Sequence, residues 1–344
     1  MKKVKVEEAV GKLFAHDLTK IVPGEFKGAR FKKGEIIKEE DIKELKSMGK
    51  NHVFILDMKE DEYHENDAAL RIAKASRGEG IRLEGPKEGK MTLVAEKKGL
   101  LKIDLEQLYK VNDLDQLMYA TIHQNTVVEE GKALAGTRII PLTIKKAPID
   151  TVENLLLREQ SQNNPMIYVK ELIPYKIGIV VTGTEVFEGR IQDRFGPVLE
   201  KKAEEYGGVF HKMVYAKDEE EDIKEKIEEL IRDGAEMIMT SGGMSVDADD
   251  VTPLAIKNTA DQVVTYGSSV LPGAMFMLAY KGEIPILGIP ACGMYHRITI
   301  LDLVLPRVMA KETITKKDIN QLAHGGLCQN CAVCHYPICP LGKA

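Results

Sequence analysis

The chain has 344 residues, with 48 basic against 53 acidic side chains, a formal net charge of −5 and a 44% hydrophobic content. That mild acidity argues against a nucleic-acid binder working through a general basic field, and the hydrophobic share argues against disorder as the dominant state. The length suggests about two domains with room for real cores.

No apolar run reaches the roughly 20 residues that a membrane-spanning helix needs. The opening MKKVKVEEAVGKLF is charged throughout, with neither an apolar signal region nor a small-residue cleavage site. The expectation is a cytoplasmic chain with no membrane and no nucleic-acid partner.

Residues 1–60 read as a small α+β module. V-E-E-A-V-G-K-L-F-A-H-D-L is a short helix-then-strand pattern, residues 39–49 have helical spacing that stops at a glycine, and residues 52–56 form a strand. Residues 61–165 predict a helix over 61–76. Short alternating stretches at 91–96, 100–103, 126–128 and 138–144 follow, a strand-rich, barrel-like or sandwich-like insert. Pro148 and the polar residues 158–165 read as a connection.

From 175 to 310 the pattern becomes regular. Strands at 176–182, 209–214, 235–240 and 263–266 alternate with helices at 195–206, 219–232 and 251–258; a hairpin-like pair at 274–280 and 284–287 and an apolar helix over 295–309 complete it. This predicts an α/β fold: a doubly wound, mostly parallel sheet with helices on both faces, preceded by the α+β and strand-rich regions.

Ligands of such sheets bind where loops leave the carboxyl ends of the strands. Three loops stand out: Thr182-Gly183-Thr184-Glu185 with Asp193 a few residues on, S-G-G-M-S-V-D-A-D-D-V-T-P over 241–253, and Gly288-Ile289-Pro290-Ala291-Cys292-Gly293. Gly242 and Gly243 let backbone N–H groups approach an anion, and Ser245 offers a hydroxyl. Asp193, Asp247, Asp249 and Asp250 are carboxylates suited to Mg²⁺ beside a pyrophosphate. A structural reading stands next to this one: Thr-Gly after a strand also makes a tight turn, acids before a helix also serve as caps, and Thr252-Pro253 fits that alternative.

The order T-G-x-E, I-x-D-x-x-G-P-x-L, S-G-G-x-S-x-x-x-x-D, L-P-G and G-I-P resembles the molybdopterin-binding domain shared by molybdopterin adenylyltransferase and molybdopterin molybdenumtransferase, over residues 175–310. The opening V-E-E-A-V-G-K-L-F-A-H-D leans toward the molybdenumtransferase. The resemblance implies molybdenum-cofactor biosynthesis by a transferase: binding of molybdopterin or its adenylylated form, then Mg²⁺-dependent insertion of molybdate with release of AMP. It also implies a homo-oligomer, with a molybdoenzyme or another protein of the cofactor pathway as a further partner. By motif, Glu185, Asp193 and Asp250 take the catalytic places, Asp193 and Asp250 hold the metal, and Gly242, Gly243 and Ser245 form the phosphate cradle. Thr182, Gly183, Pro272, Gly273 and Pro290 complete the ligand-binding set. The chain departs from the family at Leu271-Pro272-Gly273-Ala274, where a lysine-bearing K-P-G-K is usual, and at residues 288–293, where G-L-P-G-N-P is usual.

Four of the five cysteines fall in the last 17 residues, as C-x₂-C-x₂-C-x₄-C at Cys328, Cys331, Cys334 and Cys339. Such crowding suits a Zn²⁺ site or an iron–sulfur cluster, between which thiolate ligation does not choose; the alternative is a flexible tail of reduced thiols. Cys292 reads either as a small interior side chain or as part of the pocket. Two other functions fit the same domain. One is a non-catalytic carrier or sensor of molybdopterin, and the other is a pyrophosphate-cleaving enzyme of the nicotinamide mononucleotide deamidase type.

Overall fold

A computed structural model describes residues 2–343 except 23–25, 57–58, 88 and 248–249. The chain divides into two compact units, one formed by residues 1–97, 102–122 and 129–169, the other by 98–101, 123–128 and 170–344. Among the described residues no helix is long and apolar enough to cross a membrane.

In the first unit, residues 2–55 gather their own apolar cluster around Val6, Phe14, Ile37, Leu45 and Ile55. The helix Asp41–Ser47 ends where Gly49 takes a φ of +74°, a left-handed position that glycine fills without steric cost. A four-stranded antiparallel sheet follows, in the order Ile81–Lys87, Lys90–Ala95, Ala133–Ile139, Leu117–Thr121. The sheet is open, not the barrel or sandwich that its short strands suggest, and the helix Glu65–Ser76 covers it. Pro148 and residues 158–161, read as part of a connection, belong to the 16-residue helix Lys146–Ser161, which packs on Glu65–Ser76. Pro148 stands in its first turn, where the missing N–H has no intrahelical partner to lose.

His64 caps the helix Glu65–Ser76: its Nδ1 accepts the Asn66 N–H at 3.1 Å, and its Nε2 lies 2.9 Å from the Ala15 carbonyl oxygen. With Nδ1 an acceptor and Nε2 the donor, the ring is neutral. Burial lowers its pKa, and the nearby Lys33 ammonium, with Nζ 2.5 Å from Nδ1, acts in the same direction.

The second unit is a mixed α/β fold. Its strands are β1 (Lys176–Thr182), β2 (Val209–Ala216), β3 (Met237–Ser241), β4 (Gln262–Tyr266), β5 (Met277–Lys281) and β6 (Ile284–Ile289). Their order is β2-β1-β3-β6-β5-β4. Pairing is parallel from β2 through β6 and antiparallel along β6-β5-β4. The main helices are α1 (Gly196–Glu205), α2 (Glu220–Arg232), α3 (Thr252–Thr259), α4 (Ile300–Met309) and α5 (Lys316–Gln321).

Alternation along β1 explains how both faces are covered. Ile177, Ile179 and Val181 join a cluster with Leu199 and Ala203 of α1 and Val304 of α4, whereas Val180 joins Ile223, Ile227 and Leu230 of α2 and Ile256 of α3. A strand buried on both faces must be apolar at nearly every position, as K-I-G-I-V-V-T is. In α2 the buried residues recur at i, i+4 and i+7, and its first turn carries Glu220, Glu221 and Asp222, which suit the positive end of the helix dipole.

The single helix expected over 295–309 is two elements, a short turn Cys292–Tyr295 and α4. Thr299 separates them by capping α4, its side chain and that of Asp302 each accepting a backbone N–H of the other's end. Asp302 is 1% exposed, accepts the Tyr206 hydroxyl at 3.0 Å and pairs with Lys202. Residues 99–100 and 127–128 add a short antiparallel pair to this unit.

Candidate functional site

Strand register places the three loops picked from the sequence at one edge of the second unit's sheet. Val181 lies beside Ser241, Ser241 beside Ile289, and Thr182 beside Ala216. On the antiparallel side Gly288 faces Met277, and Met277 faces Tyr266. The segments after Thr182, Ala216, Ser241, Tyr266 and Ile289 therefore all leave the sheet at this carboxyl edge. Pro272 and Gly273 lie in the segment between Tyr266 and Met277, Pro290 directly follows β6, and Glu185 sits exposed in the short helical turn Thr184–Phe187.

Backbone contacts hold the first two loops together. Gly183 has a φ of +140°, and Gly242 and Gly243 have φ of +88° and +53°. A Cβ built at Gly242 would stand 2.4 Å from the Thr182 carbonyl oxygen, and one at Gly243 would stand 2.7 Å from Thr252 Oγ1. Thr182 Oγ1 and Thr252 Oγ1 are 3.2 Å apart and buried. Thr184 and Asp218 exchange bonds, the Thr184 N–H donating to Asp218 Oδ2 at 2.8 Å and the Asp218 N–H to Thr184 Oγ1 at 3.2 Å. The segment between β4 and β5 is equally tight: a Cβ at Gly273 would meet Ile300 Cγ2 at 2.4 Å.

Ser241, the last residue of β3, is fully buried, and among the described residues its hydroxyl has no hydrogen-bond partner. A buried polar atom without a partner is uncommon in folded chains and calls for an explanation. Ser241 and Asp218 were not singled out by sequence reasoning, and Thr252 was named only with the capping alternative. A hydroxyl closing an apolar strand, or at the first position of a helix, is the signal that was there to be read.

The carboxylates have local occupations. Asp193 Oδ1 accepts the N–H groups of Phe195 at 2.8 Å and Gly196 at 3.0 Å, which caps α1. Asp250 Oδ2 accepts the Ser245 N–H at 3.0 Å, and the Asp250 N–H donates to the Asp247 carbonyl at 3.0 Å. Tyr266 spans the same loop, its hydroxyl donating to the Met244 carbonyl at 3.0 Å; burial, and then the charge of Asp250, raise its pKa. Asp249 lies outside the described residues.

Among the described residues, no group of three or more His, Cys, Asp or Glu side chains is placed to hold a metal ion. Asp193 and Asp250 each accept backbone N–H groups of their own loop, and Asp193 Oδ2 also accepts the Tyr215 hydroxyl at 3.5 Å. The structure does not gather the four tail thiols: Cys328, Cys334 and Cys339 pack separately against the apolar core of the unit, and Cys331 is exposed. Cys292 opens the short turn after β6 half-buried, and burial raises its thiol pKa, which favours the protonated form. A cavity of about 610 Å³ opens at the other, amino edge of the sheet, lined by Tyr175, Glu236, Tyr280 and Lys311, away from every residue of the candidate site.

Residues 178–310 match a family model described as a probable molybdopterin binding domain. The carboxyl-edge loops all fall inside that probable molybdopterin binding domain. Residues 3–57 match a second model, described as a domain of unknown function (DUF8806). Among curated proteins, a CinA-like protein of Mycobacterium sp. (strain MCS) is 42% identical over 77 residues, 22% of this chain and 18% of that protein. A CinA-like protein of Mycobacterium tuberculosis is 39% identical over the same length. The chain thus matches 18% of the length of these relatives. Solved structures similar to this chain include the molybdopterin biosynthesis enzyme MoaB of Thermus thermophilus, at 21% identity and a TM-score of 0.35, covering 40% of this chain and 98% of that one. The tungsten cofactor synthesizing protein MoaB of Pyrococcus furiosus is similar at 16% identity and a TM-score of 0.33, covering 40% of this chain and 98% of that one.

Proposed function

We propose that the second unit binds molybdopterin or its adenylylated form at the carboxyl edge of its sheet, and acts in molybdenum-cofactor biosynthesis by metal insertion or by handing the cofactor on. The observation that carries this reading is the buried, unpartnered Ser241 hydroxyl at the root of a loop whose next two glycines have positive φ. Such a hydroxyl gains a partner when an anionic ligand settles on the loop, and the glycine backbone admits that ligand closely. The match of residues 178–310 to the probable molybdopterin binding domain supports the ligand class.

Asp193 and Asp250 fix the loops in this proposal, through α1 and through Ser245. Thr182, Thr252 and the two glycines shape the cradle, and Glu185, exposed beside it, is a carboxylate that can contact the ligand.

A second reading keeps the edge and changes the ligand to another pyrophosphate, which this chain would cleave. The curated relatives, named CinA-like and not for molybdopterin, favour it. Equilibrium binding of molybdopterin to the full chain, to Ser241→Ala and to Glu185→Gln separates the two. Binding to the parent that weakens about tenfold in Ser241→Ala supports the first reading. Failure of the parent to bind pterin, with hydrolysis of an ADP-ribose-type pyrophosphate, supports the second. Molybdate-dependent release of AMP then divides a transferase from a carrier.

A further inference from the structure

The cysteine tail is a closed loop. At its start Leu327 bridges Leu271 in parallel, the Leu271 N–H donates to the Gly326 carbonyl at 2.9 Å, and the Cys328 N–H donates to the Leu271 carbonyl at 2.8 Å. At its end the Gly342 N–H returns to the Gly325 carbonyl at 3.0 Å, Leu341 is buried, and Gly342 presses on Leu303 of α4. All four thiols lie between these two fastenings.

Inside the loop the main anchor is Tyr336, which packs on the unit's core and donates its hydroxyl to the Asp302 carbonyl at 3.3 Å. Between 328 and 341 there is no helix and no strand, and the turn bond from the Ile338 N–H to the His335 carbonyl, 2.7 Å, is local. Leu327, Val333 and Ile338 are 62%, 66% and 80% exposed, so the loop has no apolar core of its own. Short segments that cannot build a core are commonly closed by a metal, whose binding energy is then folding energy. The spacing of two, two and four residues keeps all four sulfurs within one short loop, the number and type of ligand that close a tetrahedral thiolate site.

We propose that Cys328, Cys331, Cys334 and Cys339 bind a single soft divalent cation of the zinc type, drawing the loop together around it. Three of the thiols turn from the core surface and the exposed Cys331 turns inward, while the fastenings at Leu271 and Gly325 stay in place. Each thiol gives its proton to solvent as its sulfur–metal bond forms, and no electron is transferred. Because the loop is hydrogen-bonded to Leu271, directly before Pro272 and Gly273, the metal would steady one of the carboxyl-edge segments. The proposal does not depend on which ligand that edge binds.

The test uses the full chain purified under reducing, anaerobic conditions, with elemental analysis, zinc titration and the rate at which its five thiols react with a disulfide reagent. The expected result is one zinc per chain, four thiols slowed at least tenfold by zinc and the fifth, Cys292, unchanged. Cys331→Ser, at an exposed position, should keep the parent's circular dichroism and lose at least tenfold in zinc affinity, whereas Cys292→Ser should bind zinc as the parent does. Hydrogen exchange at the Cys328 amide should slow on adding zinc. Co-purification of iron with sulfide would overturn the proposal, as would thiols that react alike with and without zinc, or a Cys331→Ser chain that binds zinc normally.

Discussion

Gly242 lies against Thr182 so closely that a single methyl group would overlap the threonine carbonyl, at 2.4 Å. The contact is backbone on backbone and Gly242 has a φ of +88°, so no side-chain adjustment relieves it. Gly242→Ala should therefore displace the loop and cost about 1–3 kcal/mol. Gly282→Ala, at a φ of +57° with nothing within 4 Å of the added methyl, should lose only the intrinsic backbone preference. Urea unfolding of both variants checks the difference, and ligand binding should fall in Gly242→Ala alone.

Asp193 caps α1 through two backbone N–H groups, which separates a structural role from a metal-holding one. Asparagine accepts the same two backbone bonds without the charge, and its amide nitrogen takes the place of the Oδ2 that accepts the Tyr215 hydroxyl at 3.5 Å. Asp193→Asn should unfold near the parent's urea midpoint, whereas Asp193→Ala should lose about 1 kcal/mol, the usual worth of a cap. Should Asp193→Asn lose as much as the alanine variant, the carboxylate charge and not the cap is what the fold uses.

His64 sets a pH dependence in the first unit. Its folded pKa is depressed below the ordinary histidine value of 6.5, chiefly by burial. The unfolded chain therefore binds the proton at higher pH than the folded one does. Stability is fully present above about pH 6.5 and declines as pH falls toward the folded pKa. Protonation also removes the Nδ1 acceptor that caps the helix after it. His64→Asn, which keeps a capping oxygen, should flatten the decline below about pH 6.5 in urea titrations monitored on that unit.

The strands of the second unit were legible because continuous apolar runs bounded by glycines have few other readings, as in K-I-G-I-V-V-T-G. The helix Lys146–Ser161 was not, since Pro148 reads as a break unless its place in a first turn is already known. The boundary at Thr299 is a tertiary and capping effect inside an apolar stretch, and only the Thr-x-x-Asp spacing announces it. At the candidate site the glycines and the shared strand edge were readable. The occupations of Asp193 and Asp250 were not, because a carboxylate before a helix looks the same whether it will cap the helix or hold a metal.

Arg307 is 9% exposed on α4 and answers two acids, its Nε donating to Glu312 Oε2 at 2.8 Å and its Nη2 to Asp318 Oδ1 at 2.7 Å. Burial alone would raise the Asp318 pKa, but hydrogen bonds from Thr315 and Arg307 outweigh it and hold the carboxyl at about 2. Removing one partner of such a buried group leaves the other charges uncompensated, which costs about 3–5 kcal/mol. Arg307→Ala should accordingly be among the most destabilising single changes in the second unit. Arg307→Met combined with Glu312→Gln and Asp318→Asn should recover part of that loss, because no net charge is then left in the cluster. The three chains compared by urea unfolding at neutral pH test this: a triple variant no more stable than Arg307→Ala would assign the cost to lost packing of the arginine stem and not to its charge.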